Sequence, residues 1–182
     1  MSILWILLGI VAVVALYIIA TYNGLISLKN KVAEASSDID VQLKRRYELI
    51  PNLVSTVKGY ATHEKELLEK VTEERAGLIT GTTADKIKAS NVMTDTLKSL
   101  FAVAENYPDL KANTNFLQLQ QDLTDTQDKI MSAQRFYNGN VRDFNTKVEV
   151  FPTNIYAKQL GFGKFEFIEA EEVEKGNIEV KF

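Results

Sequence analysis

A single histidine, His63, is all the imidazole chemistry this chain offers, and it has no cysteine. A metal site built on nitrogen and sulfur needs several such ligands, so neither a His-x-x-x-His pair nor a histidine triad can form. His63 stands beside Glu64 and Glu66 on a stretch expected to be helical, where a lone imidazole among acids reads as a solvated surface residue. Nucleophilic catalysis needs a base to activate Ser or Thr. The options reduce to a serine with His63 or a Ser–Lys pair, and no motif surrounds either. Gly161-x-Gly163 lacks the third glycine and the following helix of a phosphate-cradling loop. Carboxylates are plentiful but fall on expected helix surfaces. The chain is therefore read as not an enzyme, with no catalytic, cofactor-binding or metal-ligating residues expected.

The basic run Lys44-Arg45-Arg46 is the remaining concentration of charge. On an upright helix Lys44 lies about 18 residues beyond Ile26, or roughly 27 Å. The Debye length at physiological salt is about 8 Å. Lipid headgroups would be reached only if the helix lay flat or folded back at Pro51. The plainer reading is a solvated face paired with Asp40 and Glu48 at helical spacing. With 24 acidic and 21 basic residues the net charge is −3, so nucleic acid is not an expected partner.

The elements that must carry these residues begin with the N-terminus. From Ile3 to Ala20 there is no charged residue, and Trp5, Tyr17 and Tyr22 sit near the two ends. Eighteen helical residues reach roughly 27 Å, close to the hydrocarbon thickness of a bilayer. A cleaved signal peptide is the alternative. It would have a basic leading region and a small-x-small cleavage site, whereas Thr21-Tyr22-Asn23-Gly24 is a poor site. An uncleaved single-pass anchor is expected over residues 1–26. Lys29 and Lys31, close enough to the interface to snorkel, follow the span and no Lys or Arg precedes it. The positive-inside bias then places the C-terminal part in the cytoplasm.

About 155 residues follow, enough for one domain with a real core, and only three prolines and nine glycines in the chain favour long helices. Val32, Ile39, Leu53, Tyr60 and Leu67 share one seven-residue phase in which Arg46 also falls. Leu43, Ile50, Val57 and Val71 lie four residues on, making an apolar stripe down one face. The phase survives Pro51, so one helix is expected to about Ala76, kinked where proline removes the bond to the Tyr47 carbonyl. The competing reading starts a new helix at Pro51. A loop is expected over residues 77–83, with Thr83 capping a helix from Ala84 that carries Ile87, Val92, Leu97, Leu100 and Phe101. A last long helix is expected from about Leu110 to Val148, with Phe116, Leu123, Ile130, Tyr137 and Phe144 every seven residues. Such a repeat predicts a gently left-handed supercoiled bundle. Beside it run Gln120, Gln127 and Gln134. They form either a partly wet bundle edge or a seam facing Arg46 or a second subunit, since a buried amide must find partners.

The bundle is expected over residues 27–150. Residues 151–182 form a short aromatic segment and a flexible acidic tail, with Phe162 and Phe165 as candidates to dock on the bundle or on a partner. The fold class is all-α: a transmembrane helix continuing into an elongated, antiparallel, up-and-down bundle of three long helices, or four if the first breaks at Pro51.

Several blocks together resemble the LemA family. They are Tyr22-Asn23-x-Leu25 after the apolar span, Val32-x-Glu34-Ala35-x-Ser37-x-Ile39-Asp40-Val41-Gln42-Leu43-Lys44-Arg45-Arg46, Leu49-Ile50-Pro51-Asn52-Leu53-Val54 and Val57-Lys58-Gly59-Tyr60-Ala61-x-His63-Glu64. Later come Leu117-x-Leu119-Gln120, Arg135-x-Tyr137-Asn138, Val141-x-x-Phe144-Asn145 and Phe151-Pro152-x-Asn154-Ile155 through Gly161-Phe162. The resemblance covers nearly the whole chain up to Phe167. It implies a bacterial membrane protein with a helical bundle, usually of four helices, and no known reaction. Relatives include a magnetosome-membrane protein, and members are linked with a membrane metalloprotease. The function expected is a membrane-anchored scaffold that self-associates as a homo-oligomer in the bacterial cytoplasmic membrane and organises membrane or partner proteins. The alternative is an adaptor or accessory subunit of a membrane protease or envelope-stress pathway.

Overall fold

The computed structural model describes residues 2–61 and 63–169, and of the acidic tail expected after Phe167 residues 170–182 lie outside them. Helices α1 (Ser2–Lys58), α2 (Lys65–Arg75), α3 (Thr83–Ala104), α4 (Pro108–Lys111), α5 (Thr114–Glu149) and α6 (Thr153–Tyr156) follow one another, with a 3-10 turn at Ala76–Leu78 after α2. No strand occurs among the described residues. The all-α architecture read from the sequence is the architecture found. The described residues fall into two compact units, one within residues 1–34 and 137–182 and the other within residues 35–136.

In the larger unit the heptad positions fill the core. Ile39, Leu43, Ile50, Leu53 and Val57 of α1 are buried, as are Phe116, Leu123 and Ile130 of α5. α2 and α3 add Leu68, Val71, Ile87, Met93, Leu97 and Leu100. Val92, expected on the apolar face of α3, is exposed. The first helix neither breaks at Pro51 nor runs to Ala76. It passes through Pro51 and ends at Lys58, and α2 begins at Lys65. Proline leaves the Tyr47 carbonyl without its helical donor. In the fold Arg75 of α2 supplies one: its Nε donates to the Tyr47 carbonyl at 2.9 Å. Its guanidinium lies 3.6 Å from the centroid of the Tyr47 ring, a cation–π contact. Buried Ile50 and Leu53 flank Pro51 and hold the helix on either side.

His63 therefore stands in a turn and not on a helix, and it is exposed. Helix α3 begins one residue earlier than expected. Thr82, not Thr83, is the cap, and it forms a capping box with Asp85. The Asp85 carboxyl is held below its usual range by hydrogen bonds from the Thr82 side chain and backbone. Gly77 is needed where the 3-10 turn meets α3, because a Cβ there would lie 2.8 Å from that of Ala89.

In the smaller unit Leu25 and Val32 of α1 share a core with Val141, Phe144, Ala157 and Phe162. The segment after α6 closes on itself: Phe162 N–H donates to the Ala157 carbonyl at 3.0 Å and Gly161 N–H to Lys158 at 3.1 Å. Gly161 has φ +82°. This is a Schellman closure, in which the left-handed residue is almost always glycine and the residue after it packs back on the turn. Here that residue is Phe162, edge-on to Tyr22 and Phe144 at 5.5 and 6.3 Å. The extended chain beyond is fixed by two asparagine side chains of α5. Asn145 bonds both N–H and C=O of Phe165, and Asn138 does the same for Ile168.

Candidate functional site

Arg46 is the most unusual residue of the larger unit. It occupies a core heptad position of α1 and is 1% exposed. The sequence reading of Lys44-Arg45-Arg46 as one solvated face therefore fails at its third member, because helical rotation of about 100° per residue carries Arg46 inward while Lys44 and Arg45 stay exposed. Arg45 pairs with Asp122 at 3.4 Å, and Asp40, assigned to the same cluster, pairs instead with Lys86 at 2.8 Å.

Arg46 Nη1 donates to the Ser90 carbonyl at 2.9 Å, to Ser90 Oγ at 2.6 Å and to Gln127 Oε1 at 2.7 Å. Nη2 donates to Thr94 Oγ1 at 2.9 Å. Thr94 in turn donates to the Ser90 carbonyl or to Gln127 Oε1, at 2.9 and 3.2 Å. All these partners are neutral. Burial pushes the guanidinium down to about 10, still charged at neutral pH. A cation met only by neutral oxygens is costly in a core.

Of the three glutamines singled out in the sequence, Gln127 reaches Arg46. Gln120 and Gln134 lie half-buried one heptad to either side and are not among its partners. Ser90 and Thr94 escaped the sequence reading, although two hydroxyl residues four apart inside an apolar helix face were a signal. Ser90 has no imidazole or carboxylate among its partners, and Arg46 is closed to solvent. The Arg46 cluster joins α1, α3 and α5. A surface groove of about 500 Å³ lies near the α1–α2 turn, floored by Val54, Ala61 and Leu68 and edged by Lys58, Lys65, Glu69 and Glu73. Among the described residues no three His, Cys, Asp or Glu side chains cluster as a metal site.

The second candidate region is the N-terminal half of α1. Trp5, Tyr17 and Tyr22 are exposed, as are nearly all side chains from Ile3 to Ala20, and this stretch is long and apolar enough to cross a membrane. Lys29 and Lys31 follow it, exposed. Phe162 and Phe165, candidates for docking, pack in the chain's own core beside Phe144. The aromatics presented at the surface of that segment are Phe151 and Phe167.

Residues 35–182 match the LemA family. The chain is similar to Protein LemA of Metamycoplasma hominis, 31% identical over 162 residues that cover 86% of this chain and 73% of that protein. It is also similar to Magnetosome protein MamQ 2 of Paramagnetospirillum magneticum, 21% identical over 189 residues, covering 89% of this chain and 69% of that protein. A third relative is Magnetosome protein MamQ of Magnetospirillum gryphiswaldense, 20% identical over 80% of this chain and 64% of its own length.

Proposed function

This chain belongs to the LemA family, and from that premise we propose that it is a non-enzymatic, membrane-anchored scaffold that self-associates and organises membrane or partner proteins. The observation that carries this reading is the continuity of α1. One helix, Ser2–Lys58, bears first a lipid-compatible surface and then a packing face, with no linker between them. A chain that needed its domain free to reach substrates would have a flexible tether there. The magnetosome relatives are named for a cellular structure and not for a reaction.

The anchor is a single pass through the bacterial cytoplasmic membrane with the bundle on the cytoplasmic side, a reading supported by Lys29 and Lys31. A cysteine replacing Ser2 should then label from outside intact cells, and its protection would reverse the orientation. The mass of the full-length protein in mild detergent tests the scaffold. A defined oligomer is expected, and a clean monomer would overturn self-association.

A further inference from the structure

The C-terminal segment meets α1 where the apolar span ends. The span closes at Ala20. The next residue, Thr21, is only 5% exposed, although the side chains before it face outward. Tyr22 stands edge-on to Phe162 at 5.5 Å, and Leu25 shares a core with Ala157 and Phe162. The turn between α5 and Phe162 is thus held against α1 within about two helical turns of the last residue of the span.

In that same turn apolar side chains face outward. Phe151 is 79% exposed and Ile155 63%, and Val150 and Leu160 are exposed as well. Single exposed apolar residues are ordinary on a protein surface. Four within eleven residues, on a segment braced by its own hydrogen bonds, make a patch that calls for a partner. Lys158, also exposed, sits among them.

We propose that this turn is a second membrane contact: Phe151 and Ile155 enter the headgroup–acyl boundary of the leaflet from which α1 emerges, with Lys158 at the lipid phosphates. Lipid is the occupant because the patch lies level with the end of a lipid-facing helix, where the bilayer surface must be. An aromatic and an aliphatic side chain with a flanking lysine suit the outer 5–10 Å or so of a leaflet. The inference rests on residues 3–20 being a membrane span. It adds a geometric consequence. A lone helix is free to tilt by about 20° or more, whereas two points of contact on one rigid unit fix its angle to the membrane.

The test uses the chain's only tryptophan, Trp5. Full-length protein is reconstituted into phosphatidylcholine–phosphatidylglycerol vesicles containing lipids brominated at shallow or deep acyl positions. Two further proteins carry Trp5→Phe with either Phe151→Trp or Ile155→Trp, positions whose exposure leaves the core untouched. The expected result is blue-shifted emission from positions 151 and 155, quenched most by shallow bromines, with Trp5 quenched in the unmodified chain. Water-like, unquenched emission at both positions while Trp5 is quenched would overturn the second contact and leave the anchor standing. Absence of quenching at Trp5 as well would remove the anchor, and the proposal with it.

Discussion

Helix α1 survives Pro51 because a residue 24 positions away replaces the missing donor, and removing that residue exposes the arrangement. In Arg75→Met the Tyr47 carbonyl loses the 2.9 Å bond from Nε. A hydrogen bond to a charged group contributes about 1.5–3 kcal/mol. The guanidinium over the Tyr47 ring adds about 0.5–1 kcal/mol at a partly exposed site. Arg75 is half-buried and water can reach part of the vacated space, so the expected loss is about 2 kcal/mol. Pro51→Ala restores a backbone N–H that can bond Tyr47 within the helix. In that background Arg75→Met should cost about 1 kcal/mol or less, leaving a coupling of about 1 kcal/mol between positions 51 and 75. The assay is urea unfolding of the full-length chain and the three variants in mild detergent, followed by helical circular dichroism. Equal costs of Arg75→Met in both backgrounds would refute the reasoning, because the proline would then have no part in what Arg75 does.

Three further perturbations address the buried cation, the cap and the C-terminal closure. Arg46→Met should leave stability within about 1 kcal/mol of the unmodified protein or raise it, since an apolar side chain of similar length relieves a buried charge. Arg46→Ala should lose about 2–4 kcal/mol to the cavity. Equal losses in the two unfolding curves would show that the hydrogen-bonded layer itself sustains the fold. The Asp85 carboxyl is depressed in the folded state, so its contribution is full above its unfolded pKa and disappears as pH falls through the folded value. Asp85→Ala should therefore be less stable than the unmodified chain at neutral pH and equal to it in strong acid; a gap that persists in acid would contradict this. Gly161→Ala meets no neighbour within 4 Å, so its cost is that of φ +82° alone, about 1–2 kcal/mol. No change in the urea midpoint would mean that the closure over residues 157–162 does not depend on that conformation.

What the sequence disclosed and what it concealed divide along a physical line. Periodic burial was legible: Val32, Ile39 and Leu53 of α1, and Phe116, Leu123, Ile130 and Phe144 of α5, are buried where a seven-residue count placed them. Tyr60, in the same phase, is exposed because the helix has already ended. Passage through Pro51 was legible from the unbroken phase, but the end at Lys58 was misplaced because the seven-residue count runs on past Gly59, through Leu67 and Val71, into a separate helix. Arg46 gave two conflicting signals, a basic neighbourhood and a core register, and the register was the truer one. The threonine cap was legible in type and wrong by one residue, since adjacent Thr82 and Thr83 are chemically alike, and the box with Asp85 was not read. Asn138 and Asn145 stand one heptad apart on α5, but that spacing says nothing of their partners, the extended chain at Ile168 and Phe165.

The absence of a joint between the apolar span and residues Leu25 and Val32 has a rotational meaning. Each residue turns a helix by about 100°. The exposed apolar surface of residues 3–20 and the side of α1 that grips Phe144 and Phe162 are therefore locked in phase, like two cams on one shaft. One residue inserted between Ala20 and Leu25 would swing the apolar segment by about 100° against the core face while barely altering length, and a seven-residue insertion would bring it back nearly into step. Whatever meets the apolar surface of residues 3–20 is thereby indexed to the core around Leu25 and Phe144.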